Sequence, residues 1–313
     1  MNSETSLPQT AQNPSDIKSD IQSEKNLLLQ SLDWVGMGDI QSAILYGDLS
    51  IPTSLSMMVS LKEGQRGIHM SRLYSLMMEK YLNKCHTFKS LDDLLLQMID
   101  SQNGLSTSAG IMFSFKAPVQ TQALKSEKLG FRVYDVAVRA VKIKDQNVRF
   151  WLSIDVLYSS TCPQSAALSV EIFNNLHAKN KNNVLDRLPA TPHAQRSVMN
   201  CELLFELMPK DFLNDTASLE LKSVIEKYIQ VVESTLKTPV QTAVKKADEM
   251  QFAVLNSENL MFCEDAVRKV DQALKSTKNE FLSGHKVSTR HEESLHPHNA
   301  ISSISYNYML SPL

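Results

Sequence analysis

The sequence predicts an α+β fold in which antiparallel strands and helices occupy separate stretches of the chain. Every second residue is apolar in residues 150–158 and again in residues 199–207, a pattern typical of strands with one buried face. Apolar residues recur at helical spacing over residues 221–232, and Pro239 closes that segment. Strands and helices do not alternate regularly, which argues against a doubly wound sheet.

The remaining elements follow in order along the chain. Residues 1–24 are rich in Ser, Gln, Asn, Asp and Pro, so we expect a disordered tail, with order beginning near Leu32. Helices are predicted over residues 72–83, 91–99 and 263–274. A strand with apolar residues on both faces is predicted over 131–143, and a further strand ends the chain. No close internal repeat is visible.

Composition narrows the functional classes. A net charge of −2 gives no global attraction to nucleic acid or to a membrane surface, so neither partner is expected. The four cysteines form no CxxC pair, which fits free thiols in a reducing compartment. No secretory signal and no apolar run of about 20 residues is present. We therefore expect a soluble, cytoplasmic protein.

The segment from His291 to His298 is the densest group of chemically active side chains. It holds three histidines and two glutamates within eight residues, a set that can bind a metal or move protons. On an extended strand His296 and His298 would share one face, with Glu293 on the other. A solvated polar tail is the alternative interpretation.

Three further residues are candidates for a metal site. Cys162 follows a predicted strand, His193 precedes another, and Glu249 ends a charged run. Each has an ordinary structural explanation, respectively a small buried hydrophobe, a structural histidine and a solvated face. Together, thiolate, imidazole and carboxylate are the usual zinc donors, and three protein ligands leave a fourth position open. Their spacing is not that of a zinc finger.

Two other segments could bind a nucleotide-like ligand. Glu264 lies at a predicted helix start, where the helix dipole favours a carboxylate. It could alternatively accept two hydrogen bonds from a purine or pterin ring. The run from Arg66 through His69 to Arg72 lies at a helix entrance that suits an anion, or it is a capped helix start with exposed charges.

Together these segments resemble the type IB GTP cyclohydrolase I family, in the family's order from about residue 34 to residue 305. The matching pieces are Val35-Gly36-Met37, residues 66–72, Cys162-Pro163, residues 193–197, Thr238-Pro239-Val240-Gln241, Val244-Lys245, Asp248-Glu249, Glu264-Asp265 with Arg268, and residues 293–298.

The resemblance implies a tunnelling fold (T-fold). In this fold, antiparallel sheets would carry helices on one face, and residues 25–313 would form one bimodular domain. Assembly into a homotetramer would complete a barrel and place the active sites between subunits. It also implies conversion of GTP and water to formate and 7,8-dihydroneopterin triphosphate, the first step of folate synthesis and a source of modified tRNA bases.

The resemblance also implies residue roles. Cys162, His193 and Glu249 would bind zinc, manganese or iron, with Cys162 also part of the catalytic centre. Glu264 would anchor the purine, while Glu293 and His296 would handle protons. The remaining candidates for substrate binding are basic residues, namely His69, Arg72, Arg196, Lys245 and His298. Arg66 is a further candidate for binding the triphosphate.

The chain departs from the family pattern in two places. Gln164 stands where the family usually has a second cysteine, one that is not expected to bind metal. Cys162 and His193 are 31 residues apart instead of about a dozen, which predicts an inserted surface loop near residues 170–188.

Two alternative functions remain at this stage. A deazaguanine nitrile reductase of the same fold would need a Glu-Ser-Lys-Ser motif and a nicotinamide site, and neither appears. A non-catalytic protein that binds pterins or purines would not need the full set of candidate residues, which the chain retains.

Overall fold

The computed structural model describes residues 30–179, 188–208, 220–277 and 281–313. The predicted disordered tail, residues 1–24, lies outside them. The described strands form one eight-stranded sheet in sequence order, and every neighbouring pair is antiparallel. The strands are β1 (Leu32–Tyr46), β2 (Leu49–Leu61), β3 (Ser108–Gln122), β4 (Leu129–Ile143), β5 (Val148–Thr161), β6 (Ala194–Leu207), β7 (Leu282–His291) and β8 (Ala300–Tyr306).

Two groups of helices interrupt this sheet, one after β2 and one after β6. The described helices are α1 (Met70–Leu76), which continues as a π-helical turn over Met77–Tyr81, α2 (Phe88–Ser101), α3 (Pro163–Lys179), α4 (Leu221–Leu236), α5 (Lys246–Glu258) and α6 (Cys263–Ser276). The order strand–strand–helices–strand–strand therefore occurs twice, with α3 added between β5 and β6. This repeated module agrees with the α+β T-fold. None of the described helices is long and apolar enough to cross a bilayer.

The hydrophobic core lies between one face of the sheet and the helices. Phe88 of α2 packs against Phe150 of β5 and Phe205 of β6, with ring centroids 4.7 and 5.1 Å apart. Tyr228 of α4 contacts the same Phe205 at 5.8 Å. Alternate residues of β5 and β6 are buried against these helices, as the sequence predicted. The opposite face carries polar side chains such as Asp155 and borders an open cavity of about 950 Å³.

The strands predicted over residues 131–143, 150–158 and 199–207 and the four predicted helices are present, but helices α3 and α5 were not predicted. The predicted surface loop near residues 170–188 is wrong where it is described, because residues 170–179 belong to α3. Apolar side chains lie all around α3, and Leu168 and Val170 are 50% and 59% exposed, so the helix lacks the one-sided pattern that marks an amphipathic helix. Helix α5 was not predicted for a different reason: its only buried residue is the polar Asp248, so it lacks a buried apolar stripe.

Candidate active site

Cys162 and His193 meet at the end of the β5–β6 ladder. Thr161 of β5 pairs with Ala194 of β6 in the last register position, and the next residue outward on each strand is a candidate metal ligand. The Cys162 N–H donates to the His193 carbonyl at 3.2 Å. The His193 N–H donates to the Ser165 hydroxyl at 3.2 Å, so the first turn of α3 also fixes this corner. Strand pairing therefore brings the two residues together although helix α3 lies between them in the sequence.

The His193 side chain lies beside Gln195 and Glu293. Its Nδ1 is 3.0 Å from Gln195 Oε1 and 3.6 Å from Glu293 Oε2. The side chains of His193 and Glu293 are only 19% and 12% exposed. Glu293 reaches this position because its N–H donates to the His291 carbonyl at 3.0 Å, which turns the chain as β7 ends. A candidate metal ligand and a candidate proton-handling group thus share one half-buried corner.

Glu249 is positioned by its buried neighbour Asp248. The Asp248 carboxylate accepts hydrogen bonds from the N–H groups of Lys125, Ser126 and Lys245 at 2.7, 2.8 and 2.7 Å, and from the Ser126 hydroxyl at 2.6 Å. These bonds, the one from the Ser126 hydroxyl foremost, hold the pKa of Asp248 far below its usual range. They attach the start of α5 to the β3–β4 loop and leave Glu249 exposed in the first helical turn.

A complete three-donor metal group does not form within one chain, as far as the described residues show. The fold brings together Cys162 and His193, with Glu293 beside the histidine, and places Glu249 outside this group. Cys162 and His193, joined through their backbones, still suit a divalent cation, since the Cys162 thiol is only partly buried and the imidazole has a second nitrogen.

Glu264 lies exposed in the first turn of α6, as predicted. Its pKa is lowered chiefly by a hydrogen bond from its own backbone N–H and next by one from the Cys263 thiol, whose Sγ lies 3.3 Å from Oε2. The neighbouring Asp265 performs the capping, because its Oδ2 accepts the Phe262 N–H at 3.1 Å. The helix therefore has a capping carboxylate without Glu264, which remains an ionised acceptor at the surface.

The histidines near the C-terminus do not form one cluster. His291 is buried at the end of β7, with its Nε2 2.8 Å from the hydroxyl of Tyr158, and burial lowers its pKa to about 4. His296 and His298 do not lie on an extended strand, although their rings do lie side by side. Both lie exposed in the β7–β8 loop, where their rings stack at 5.0 Å and 14°. The chain turns after His291 because β7 must return antiparallel as β8.

The candidate substrate-binding residues on basic segments have varied surroundings. Arg196 lies on the open face of β6 and borders the polar cavity. Lys245 is exposed at the start of α5. Arg72 donates to the Ser101 carbonyl, and the His69 N–H donates to Gln102 Oε1 at 2.7 Å. The last two residues therefore help to join α1 to the end of α2.

Sequence reasoning assigned no role to Gln195 or Asp248. A signal for Gln195 was present, since residues two apart on a strand share a face and Gln195 follows His193 by two. The signal for Asp248 was weaker. Asp248 is a carboxylate three residues after the start of a helix, the position from which acidic side chains cap helices.

Comparison with known proteins gives one consistent family. The sequence model of the family described as "Type I GTP cyclohydrolase folE2" matches residues 19–302. "GTP cyclohydrolase FolE2" of Acinetobacter baylyi is 38% identical over 87% of this chain and 92% of its own length. The proteins of the same name from Pseudoalteromonas translucida and Bdellovibrio bacteriovorus are each 36% identical, covering 87% and 95% of this chain and 91% and 97% of their own. Among solved structures, uricase from Arthrobacter globiformis aligns with a TM-score of 0.48 and 8% identity, over 92% of this chain and 97% of its own. The matched span and these relatives show that the chain belongs to the type I GTP cyclohydrolase folE2 family.

Proposed function

We propose that this chain is a type IB GTP cyclohydrolase I, which hydrolyses GTP at guanine C8 to give formate and 7,8-dihydroneopterin triphosphate. Family membership supports the substrate and the reaction. The structural observation that carries the proposal is the corner at the ends of paired strands, where the Cys162 N–H bonds to the His193 carbonyl and the His193 imidazole lies 3.6 Å from the Glu293 carboxylate. A site of this composition can combine metal binding with proton transfer.

The metal in this proposal is zinc, manganese or iron, held by Cys162, His193 and Glu249. A bound divalent cation would supply Lewis acidity. Cys162 and His193 already lie together, whereas Glu249 does not join them within one chain in the part that the structure describes. This arrangement supports a site that is completed when subunits associate.

We propose that the oligomer is a homotetramer. In this proposal residues 25–313 form one bimodular T-fold domain whose open sheet face closes into a barrel. The twice-repeated order of strands and helices in the described chain supports two such modules. Closed symmetry is the usual outcome for assemblies of this kind.

The organic substrate would be held by groups that surround this corner. Glu264 is proposed to accept hydrogen bonds from guanine N1–H and the exocyclic amine, a role that suits an ionised carboxylate not needed for capping. Glu293, partly buried beside His193, is proposed to move protons together with His296 as the imidazole ring opens. The proposed substrate-binding residues are His69, Arg72, Arg196, Lys245 and His298.

We place the enzyme in the cytoplasm, at the entry to folate or modified tRNA base synthesis.

The direct test is an assay of the purified full-length chain with GTP. Protein loaded with zinc, manganese or iron should release formate and a product that becomes fluorescent neopterin after oxidation and dephosphorylation, in equal amounts. A nitrile reductase would instead consume a nicotinamide cofactor with a deazaguanine nitrile. A non-catalytic binding protein would bind GTP or a pterin without releasing formate. Absence of formate with all three metals would contradict the proposal.

A further inference from the structure

Gln195 lies between the two groups that define the corner. It is the second residue of β6 and only 8% exposed. Its Oε1 lies 3.0 Å from His193 Nδ1, while its Nε2 lies 2.9 Å from the Ser160 hydroxyl and 3.5 Å from Glu293 Oε1. One buried amide thus touches a proposed metal ligand, a proposed proton carrier and the neighbouring strand.

The surroundings decide which way this amide points. The Gln195 edge that faces Glu293 is the NH₂ group, with Nε2 3.5 Å from Glu293 Oε1, where a carboxylate oxygen can accept. Ser160 accepts from the same NH₂ group, and its hydroxyl can still donate to Ser197, 2.8 Å away. The amide oxygen is then left to face His193.

The orientation of the amide in turn fixes the proton on His193. An amide oxygen accepts only, so Nδ1 of the imidazole must carry the hydrogen. In a neutral ring the other nitrogen, Nε2, then has a free lone pair. The Glu293 carboxylate could have served as the acceptor instead, but its Oε2 lies 3.6 Å from Nδ1, beyond ordinary hydrogen-bond distance.

We propose that Gln195 is a positioning residue that holds His193 in its Nδ1–H tautomer and so presents Nε2 as the metal donor. The Glu293 carboxylate orients the Gln195 amide, and the amide in turn orients the His193 ring. Groups that orient a ligating histidine in this way raise metal affinity by about 10–100-fold. This inference rests on the proposed role of His193 as a metal ligand.

The first measurement uses the metal-free full-length protein with ¹⁵N-labelled histidine. Long-range proton–nitrogen NMR spectra report the tautomer of His193, whose signals are identified by their loss in His193→Ala. We expect the Nδ1–H form in the wild type and a shift towards Nε2–H in Gln195→Met, which keeps the size of the side chain without its polar atoms. Gln195→Asn, whose shorter amide cannot reach the ring, provides a second variant if Gln195→Met does not fold.

The second measurement is zinc affinity by competition with a chelator. We expect both Gln195 variants to bind zinc about 10–100-fold more weakly than the wild type. Two controls separate positioning from simple structural support. Ser160→Ala removes the contact of Gln195 with β5 but keeps the oxygen on His193, so tautomer and affinity should persist. Asn200→Ala removes a β6 amide that bonds Ser153 and Asp155, at 3.0 and 2.6 Å, and should also leave both unchanged.

The outcomes distinguish this inference from the proposed function. A wild type in the Nε2–H form overturns the inference directly, as do folded Gln195 variants that keep the Nδ1–H form and full affinity. If the tautomer depends on Gln195 but the wild type binds zinc no better than His193→Ala, the proposed ligand role fails instead.

Discussion

Glu293 Oε2 lies 3.6 Å from His193 Nδ1, although the two residues are 100 positions apart in the sequence. His193 precedes β6, and Glu293 follows β7, which pairs with β6 from Ser197 opposite His291. This register places the residues that follow β7 beside the first residues of β6. The contact therefore depends on the sheet, and it places a carboxylate against the histidine that we propose as a metal ligand.

Glu293→Gln should lower kcat by at least about a hundredfold, because general acid–base groups typically contribute that much or more. At saturating metal, metal content should stay near that of the wild type, since Glu293 is not a proposed ligand and acts on His193 only through Gln195. Both quantities can be measured on one preparation. Glu292→Gln is the matched control, because Glu292 is an exposed neighbour that pairs with Arg290 at 3.2 Å. Near-normal turnover of Glu293→Gln would contradict the proposal that Glu293 moves protons.

Cys162→Ala and His193→Ala should each lose bound metal and activity while the fold survives. Both residues lie at strand ends outside the core, so their truncation leaves the packed face of the sheet intact. Elemental analysis and circular dichroism measure the two effects. Cys85→Ala and His177→Ala are the controls, since each removes an exposed side chain of the same type. Full metal occupancy in either test variant would show that its ligand assignment is wrong.

The strands at the centre of the site could be predicted because their alternating apolar residues meet a single layer of helices. The ends of β5 and β6, and hence the places of Cys162 and His193, followed from that pattern. The role of Gln195 could not be predicted, because it depends on Glu293 returning along β7 to face it. Helix α3 escaped prediction because its apolar residues point in all directions.

Acidification from pH 7 to pH 5 should destabilise the protein through its buried histidines. Burial lowers the pKa of His86 from 6.5 to about 4. Below pH 6.5 the unfolded chain therefore takes up a proton that the folded chain does not, and stability falls until the pH reaches about 4. At pH 5 this amounts to about 2 kcal/mol for His86, and His291 acts in the same direction.

Urea unfolding at pH 7 and pH 5 measures this effect. His86→Asn should show a smaller loss of stability between the two values than the wild type. His298→Asn, which removes an exposed histidine, should show the same loss as the wild type. An equal pH dependence in all three proteins would contradict the assignment to His86.

The active species should be an oligomer, and we expect a tetramer. Within the described part of one chain Glu249 does not join Cys162 and His193, so a lone subunit should bind metal weakly. Light scattering coupled to size-exclusion chromatography, run at the concentration of the assay, reports the mass of the active fraction. Activity that elutes as a monomer of 35.2 kDa would contradict both the oligomer and the shared site.

Glu264→Gln should reduce GTP turnover without changing metal content. The change keeps the shape of the side chain but replaces one acceptor oxygen with an NH₂ group, which would face a donor on the guanine ring. A donor left unpaired in a buried contact costs about 1–3 kcal/mol, so kcat/KM should fall at least about tenfold by the usual conversion.

Asp265→Asn is the matched control for Glu264→Gln. Asp265 accepts the Phe262 N–H and so caps α6, whereas Glu264 is bonded to its own N–H and to the Cys263 thiol. Weakening the cap should lower the melting temperature of Asp265→Asn and leave its turnover nearly normal. If Glu264 served only the helix, the two variants would behave alike. Because the structure already assigns the capping bond to Asp265, a loss of turnover confined to Glu264→Gln would point to contact with the guanine ring.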